Sequence, residues 1–253
     1  MLYCQGLILL FDKGRRVDLR KTRRTTLLQV PATPEPEAKP PLDKEQIIEA
    51  ALALLDKIGL DGLTMRNLAE ALGIKAGSLY WHVRNKEELL DLLADAVCAG
   101  MQEPDRNLPW RKRLEALAHE YRRALLAHRD AAQILAGTVP SGGNRLRLME
   151  NLFSILLAAG FMYQDAAYAG FLMNDYVTEF VLEESRFTAT AQATTEEARQ
   201  AYANFERFFN NLPAELYPSI TKLSQYLTTN LDMDERFSFG IQVVLDGLEK
   251  RLS

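Results

Sequence analysis

TMRNLAEALGIKAGSLYWHVRNK, residues 64–86, is the stretch of this chain that carries the most information. Thr64 stands where an N-cap belongs, and Leu68, Ala69 and Leu72 follow at helical spacing. Gly73 comes directly after Leu72, at the position where a helix ends most easily in a left-handed conformation. Ile74 plugs the turn, and Ala76, Gly77 and Ser78 open a second short helix with almost no side-chain bulk. Tyr80, Trp81 and His82 continue it. Asn85 is placed to cap a third helix, with Glu88 three residues on to bond back in a capping box. Lys86 then lies on the first turn, beside free N–H groups and a positive dipole end that suit a phosphate.

Two helices joined by a tight turn, the second exposing aromatics between basic residues, are the sequence form of a helix-turn-helix DNA reader. The small residues let that helix approach a sugar-phosphate backbone or a base edge, and the rings can pack on the backbone and bond phosphate. The competing reading is that Tyr80, Trp81 and Val83 close a small hydrophobic core, which is expected of one or two of them. Charge favours DNA. Arg66, Lys75, Arg84 and Lys86 against Glu70 give this segment 4 − 1 = +3, whereas the whole chain is −4. A basic face on an acidic protein fits a DNA footprint confined to one small region.

The chain has 253 residues, enough for a small domain and a larger one, and its 47% hydrophobic and 25% charged residues are ordinary for a globular protein. Alternating strand patterns are scarce and period-3.6 patterns are long, so the fold class expected is all-α. Cys4 and Cys98 fit no metal or redox spacing, and a reducing cytoplasm is the natural compartment. No segment approaches a membrane span; the apolar LILLF (7–11) lacks a basic flank and is followed at once by charge, unlike a signal peptide.

Residues 12–30 carry seven basic side chains against Asp12 and Asp18, and PATPEPEAKPP (31–41) is a Pro-rich linker. Residues 1–41 are therefore expected to be a disordered extension. It is either an arm that adds DNA affinity or reaches a minor groove, or a solvated tail or over-long start. A DNA-binding domain is expected over 42–101 and a helical effector and dimer domain over 102–253. In the latter, helices are expected at 110–129, 130–136, 145–159, 163–184, 196–210, 218–229 and 234–251, with 185–195 (SRFTATAQATT) a mobile loop. The helices 163–184 and 234–251 are apolar on wide faces, through Phe171, Leu172, Tyr176, Val177, Phe180 and Val181, and through Phe237, Ile241, Val244, Leu245 and Leu248. Such faces are buried on both sides, either in an internal core or against a partner.

The run from Leu42 to Gly100, above all LYWHV-x-NK-x-x-LL, closely resembles the DNA-binding domain of the tetracycline-repressor family. A weaker likeness continues through HRDAAQILAGTVP (128–140), LMENLFSILLAAGF (148–161), VLEE (181–184) and FGIQVVLDGLEKRL (239–252). The resemblance implies an all-helical homodimer that blocks transcription from a palindromic double-stranded DNA operator and lets go when a small-molecule effector binds. It implies DNA contacts at Thr64, Met65, Arg66, Ala76, Gly77, Ser78, Leu79, Tyr80, Trp81, His82 and Lys86. Ala76-Gly77-Ser78 replaces the Gln-Pro-Thr of tetracycline repressors, so a different operator is expected. The implied ligand positions are Gln102, Leu117, Tyr121, Leu135, Thr138, Pro140, Leu152, Asp175 and Glu183. The family's two ligand-contacting His residues are replaced by Gln102 and Leu135, its gripping Asn and Gln by Leu117 and Leu152, and its stacking Phe by Tyr121. A magnesium–tetracycline chelate is therefore not expected, and a more apolar effector is. The implied signalling route runs from the short helix at 130–136 to the helix at 86–101.

An all-α enzyme is the rival class. Its three histidines are His82, His119 and His128, and the last two, nine residues apart, fall on opposite sides of a helix. No catalytic or phosphate-binding motif appears, and no cofactor is expected. Asp175, Glu179, Glu183 and Glu184 share one helix, where they serve a divalent cation, acid/base chemistry, or a solvated or dimer-rim face. A DNA binder with no effector is the third reading.

Overall fold

The computed structural model describes residues 42–191, 196–228 and 232–252. Residues 1–41, with their basic and Pro-rich segments and Cys4, lie outside the described residues. Every regular element among the described residues is a helix, and none of these is long and apolar enough to cross a membrane.

The first four helices are defined by their ends. Helix α1 (Lys44–Gly62) begins at Asp43, whose carboxylate accepts the Gln46 N–H in a capping box, and turns sharply at Gly59, where φ is 74°. Helix α2 (Met65–Ala71) starts on Thr64, whose hydroxyl oxygen accepts the Asn67 N–H at 3.1 Å. The turn that follows uses Gly73 at φ 66°, and α3 is the single turn Ala76–Leu79. Helix α4 (Lys86–Val97) is capped by Asn85 as the sequence predicts, but Glu88 does not bond back to the Asn85 N–H. Its carboxylate accepts from the N–H and the Nε of Arg84 instead, one residue outside the expected box. Ile47, Leu55, Leu63, Leu68, Leu79, Val83, Leu89 and Leu93, all fully buried, join these helices.

The remaining helices are α5 (Trp110–Leu126), α6 (Ala131–Ala136), α7 (Gly143–Ala158), α8 (Tyr163–Ala191), α9 (Glu196–Asn210), α10 (Pro218–Thr228) and α11 (Met233–Glu249). At 29 residues, α8 runs about 44 Å and packs against α5, α6, α7, α9 and α11. The sequence assigned 185–195 to a loop, but α8 continues through 191, while 192–195 lie outside the described residues. That stretch contains neither Gly nor Pro, so a helix already nucleated over six turns propagates through weak formers such as Thr.

The apolar face predicted for α11 is internal core. Phe237, Ile241, Leu245 and Leu248 are buried against α5 and α8, and the large apolar residues that α11 leaves exposed are Phe239 and Val243. On α8 the predicted set divides, with Val177, Phe180 and Val181 buried and Phe171 and Leu172 exposed.

A buried ion pair sits where α5, α8 and α11 meet. Arg122 donates from Nε and Nη2 to both oxygens of Glu184, at 2.8 and 2.6 Å, and from Nη1 to Asp234 at 2.7 Å. Its guanidinium lies 4.9 Å from the centre of the Phe237 ring. Glu184, one of four acids on this helix in the sequence, is thus a structural counter-ion. Removing one member of such a pair leaves the other buried and uncompensated, which costs about 3–5 kcal/mol. Arg122→Met is therefore expected to destabilise the chain by about that amount in chemical denaturation, and adding Glu184→Leu should recover most of the loss. A single variant as stable as the wild type would rule out this role.

Candidate nucleic-acid interface and effector cavity

The segment 64–86 divides its side chains between a core and an open face. Leu79 and Val83 are fully buried and Met65 nearly so, and they form the wedge that seats α3 against α2 in the core. The sequence reading included Met65 and Leu79 among DNA contacts; their side chains face inward, so they set the pose of the reading head. Tyr80 is 49% and Trp81 90% exposed. The aromatics are thus not core, and of the residues suspected of closing it only Val83 does so. Thr64, Arg66, Lys75, Ala76, Gly77 and Ser78 are exposed beside them, with His82 half-buried. A Cβ added at Gly77 would meet nothing within 4 Å. Among the described residues no packing explains that missing side chain, whereas close approach by an external partner would. Lys86 donates from Nζ to the Leu60 carbonyl at 3.2 Å, which ties the start of α4 to the end of α1. Its ammonium has two further protons for a phosphate.

A cavity of about 390 Å³ lies among α5, α6, α7 and α8. Its lining includes Leu117, Tyr121, Leu135, Thr138, Pro140, Leu152 and Asp175 from the sequence-derived set. Gln102 and Glu183 are not part of it. Gln102 is exposed, its N–H bonded to Glu120, and the Glu183 carboxylate pairs with Arg236. The wall is mostly apolar, through the three leucines and Leu114, Met173 and Val177, and no imidazole reaches it. Tyr121 Oη bonds Asn174 Oδ1 and Thr178 Oγ1, each at 3.4 Å, and burial pushes its pKa up to about 12, so the phenol stays neutral.

The sequence reading missed Arg145, Asn174 and Thr178. Asn174 and Thr178 are four apart on α8, a polar spacing that signals a shared face. Arg145 gives no such signal, because LRLMEN (146–151) and its neighbours read equally well as a solvated turn of helix. Asp95 of α4 accepts the N–H groups of Asn144 and Arg145 at 2.8 and 2.9 Å and the Asn144 Nδ2 at 3.0 Å. One carboxylate thus caps α7 and joins the cavity to α4. A Cβ at Gly142 would stand 2.1 Å from Asp95 Cγ, so only glycine admits this approach.

Residues 47–93 match the sequence model of the bacterial regulatory proteins of the tetR family, and residues 103–252 match that of the tetracyclin repressor-like C-terminal domain. The chain is 34% identical over 212 residues to the class C tetracycline repressor of Escherichia coli, covering 83% of this chain and 91% of that one. Apo ActR from Streptomyces coelicolor superposes with a TM-score of 0.74 at 34% identity, over 85% of this chain and 98% of that one. The complex of ActR with actinorhodin gives 0.73 at 35% identity, over 82% and 95%.

The division between wedge and face is open to test by melting. Leu79→Ala removes a fully buried side chain and is expected to destabilise by about 2–5 kcal/mol. Trp81→Ala should stay within about 0.5 kcal/mol of the wild type. Equal losses in the two variants would mean that Trp81 is packed.

Proposed function

The chain belongs to the tetracycline-repressor family of DNA-binding transcriptional regulators, and from that premise we propose how its own residues divide the work. The reading head of residues 42–101 presents Arg66, Ala76, Gly77, Ser78, Tyr80, Trp81, His82 and Lys86 to the operator, with Thr64 at its edge. Met65 and Leu79 act from beneath, and residues 102–253 hold the effector and the dimer contact. The observation that carries this reading is the exposure of Tyr80 and Trp81 on a basic, small-residue face. A folded chain has no internal reason to keep two such rings in water.

The effector cavity favours an apolar molecule. Leu117, Leu135 and Leu152 supply no metal ligand and no amide grip, so binding free energy comes from burial against the wall, with Tyr121, Thr138, Asn174 and Thr178 orienting the ligand. Release from DNA is a population shift, and a ligand drives it only by its difference in affinity for the two dimer arrangements. Asp95 is the physical connection from α7 to α4. Relatives in this family are regulators and not enzymes, and this chain works beside its DNA in the cytoplasm.

The partner surface is the outer side of α8 and α11. Tyr168, Phe171, Leu172, Phe239 and Val243 are exposed there, Phe239 by 72%. Dimerisation sets two reading heads about one DNA turn apart (~34 Å), as a palindrome requires.

Binding to DNA from the region upstream of its own gene, measured at two salt concentrations, tests the head. The wild type should bind a discrete site with affinity falling steeply as salt rises, and Tyr80→Ala should lose that site while melting normally. Equal binding by the mutant would remove Tyr80 from the interface. For the partner surface, Phe239→Glu should convert the dimer to a monomer in sedimentation and weaken operator binding with it. A Phe239→Glu dimer of undiminished strength would place the contact elsewhere.

A further inference from the structure

Arg145 is the third residue of α7, and its own N–H is fixed by Asp95 at 2.9 Å, so the root of its side chain has little freedom. The side chain runs inward along the cavity wall, and the residue is only 8% exposed. Its guanidinium donates to three oxygens, all neutral: Thr138 Oγ1 at 2.8 Å, and the carbonyls of Leu135 and Thr138 at 3.3 Å each. Among the described residues no carboxylate forms an ion pair with it, and Asp95 engages only its main chain. Arg122, buried to the same degree, has both oxygens of Glu184 and one of Asp234.

A buried guanidinium facing an apolar cavity without a counter-charge is an expensive arrangement. Two of its five N–H donors, one on Nε and one on Nη1, remain to be satisfied. The acids in the cavity lining, Asp175 and Glu179, are exposed on α8 and screened by solvent. We propose that the effector is an organic acid, an apolar molecule bearing one carboxylate or comparably acidic oxygen, and that Arg145 receives that anion. This rests on the cavity being the effector site. The oxygens that Arg145 now holds, on Leu135 and Thr138, close the end of α6, and its main chain is bound to α4. An anion competing for the guanidinium therefore acts where the cavity meets the helix that carries the reading head.

The test uses matched pairs of naphthalene, anthracene and anthraquinone carboxylates and their carboxamides, titrated into the full-length wild type, Arg145→Met, Arg145→Lys and Leu117→Trp, which narrows the cavity. In the wild type the acid of a pair should bind about tenfold or more tightly than its amide, the size of one charge-assisted hydrogen bond. Arg145→Met should abolish that preference while leaving amide affinity in place, and Arg145→Lys should keep part of it. Acid and amide bound alike by the wild type would overturn the proposal, as would a preference that survives in Arg145→Met. Binding undiminished in Leu117→Trp, or no binding by any pair, would instead reject the cavity as the effector site, and the proposal with it.

Discussion

Three carboxylates hold the reading head to the body that carries the cavity, and the signalling reading depends on them. Asp95 of α4 caps α7. Asp130, just before α6, accepts the Leu60 N–H at 2.8 Å, where α1 breaks at Gly59. Asp56 of α1 accepts the Arg129 N–H at 2.9 Å and lies 3.0 Å from His128 Nδ1. Each carboxylate meets main-chain N–H groups near a helix end or corner, where charge-assisted bonds are short and direction-sensitive. Asp130 adopts φ 58° to do so, a left-handed conformation that few residues other than glycine tolerate and in which Asp is enriched. The α5–α6 corner and the start of α7 are thus both tied to the DNA-binding helices. Little displacement of α6 is possible without moving α1 or α4.

Two buried arginines show how the same side chain serves opposite ends. Arg122 is charge-compensated: a bidentate carboxylate, a second acid, and the rings of Phe180 and Phe237 beside it. It joins α5, α8 and α11, and its charge is already matched by carboxylates of this chain. Arg145 has the same burial and only dipoles around it, so its surroundings satisfy it incompletely. The first arrangement fixes a frame, and the second leaves a local electrostatic demand that an incoming group can meet. The carboxylate pair across from Arg122 also resolves the four acids of α8. Glu184 is structural and Glu183 is matched to Arg236, while Asp175 and Glu179 stay in solvent at the cavity's edge.

The helix-turn-helix was legible because its signals are local. Thr64, Gly73 and Asn85 act within three or four residues of themselves, and each does in the structure what its type and place predict. Which rings and leucines of 79–83 turn inward was not legible, since α3 is one turn long and its neighbours, not its period, choose its buried side. The same holds for α11, whose apolar face is shared between this chain's core and its exposed Phe239. The extension of α8 to Ala191 reflects helix cooperativity over a length that a short window of weak formers does not reveal. Arg145 was invisible for a deeper reason. An arginine in the first turn of an amphipathic helix is usually solvated, and only the fold brings the α6 carbonyls over it.

The replacement of imidazole and amides by leucines changes what kind of signal this cavity can send. Moving a two-state dimer from 1:99 to 99:1 takes a difference of about 5.5 kcal/mol in ligand affinity between the states. Apolar burial is non-directional, worth about 25 cal/mol per Å² wherever contact is made. A greasy ligand that fits both arrangements of the wall therefore binds well and signals little. On the proposed reading, the discrimination comes from the polar groups at the end of α6, the oxygens of Leu135 and Thr138 and the guanidinium they hold. On that reading the leucines set how tightly an effector binds, and the polar end beside Asp95 sets how far binding shifts the DNA-competent state.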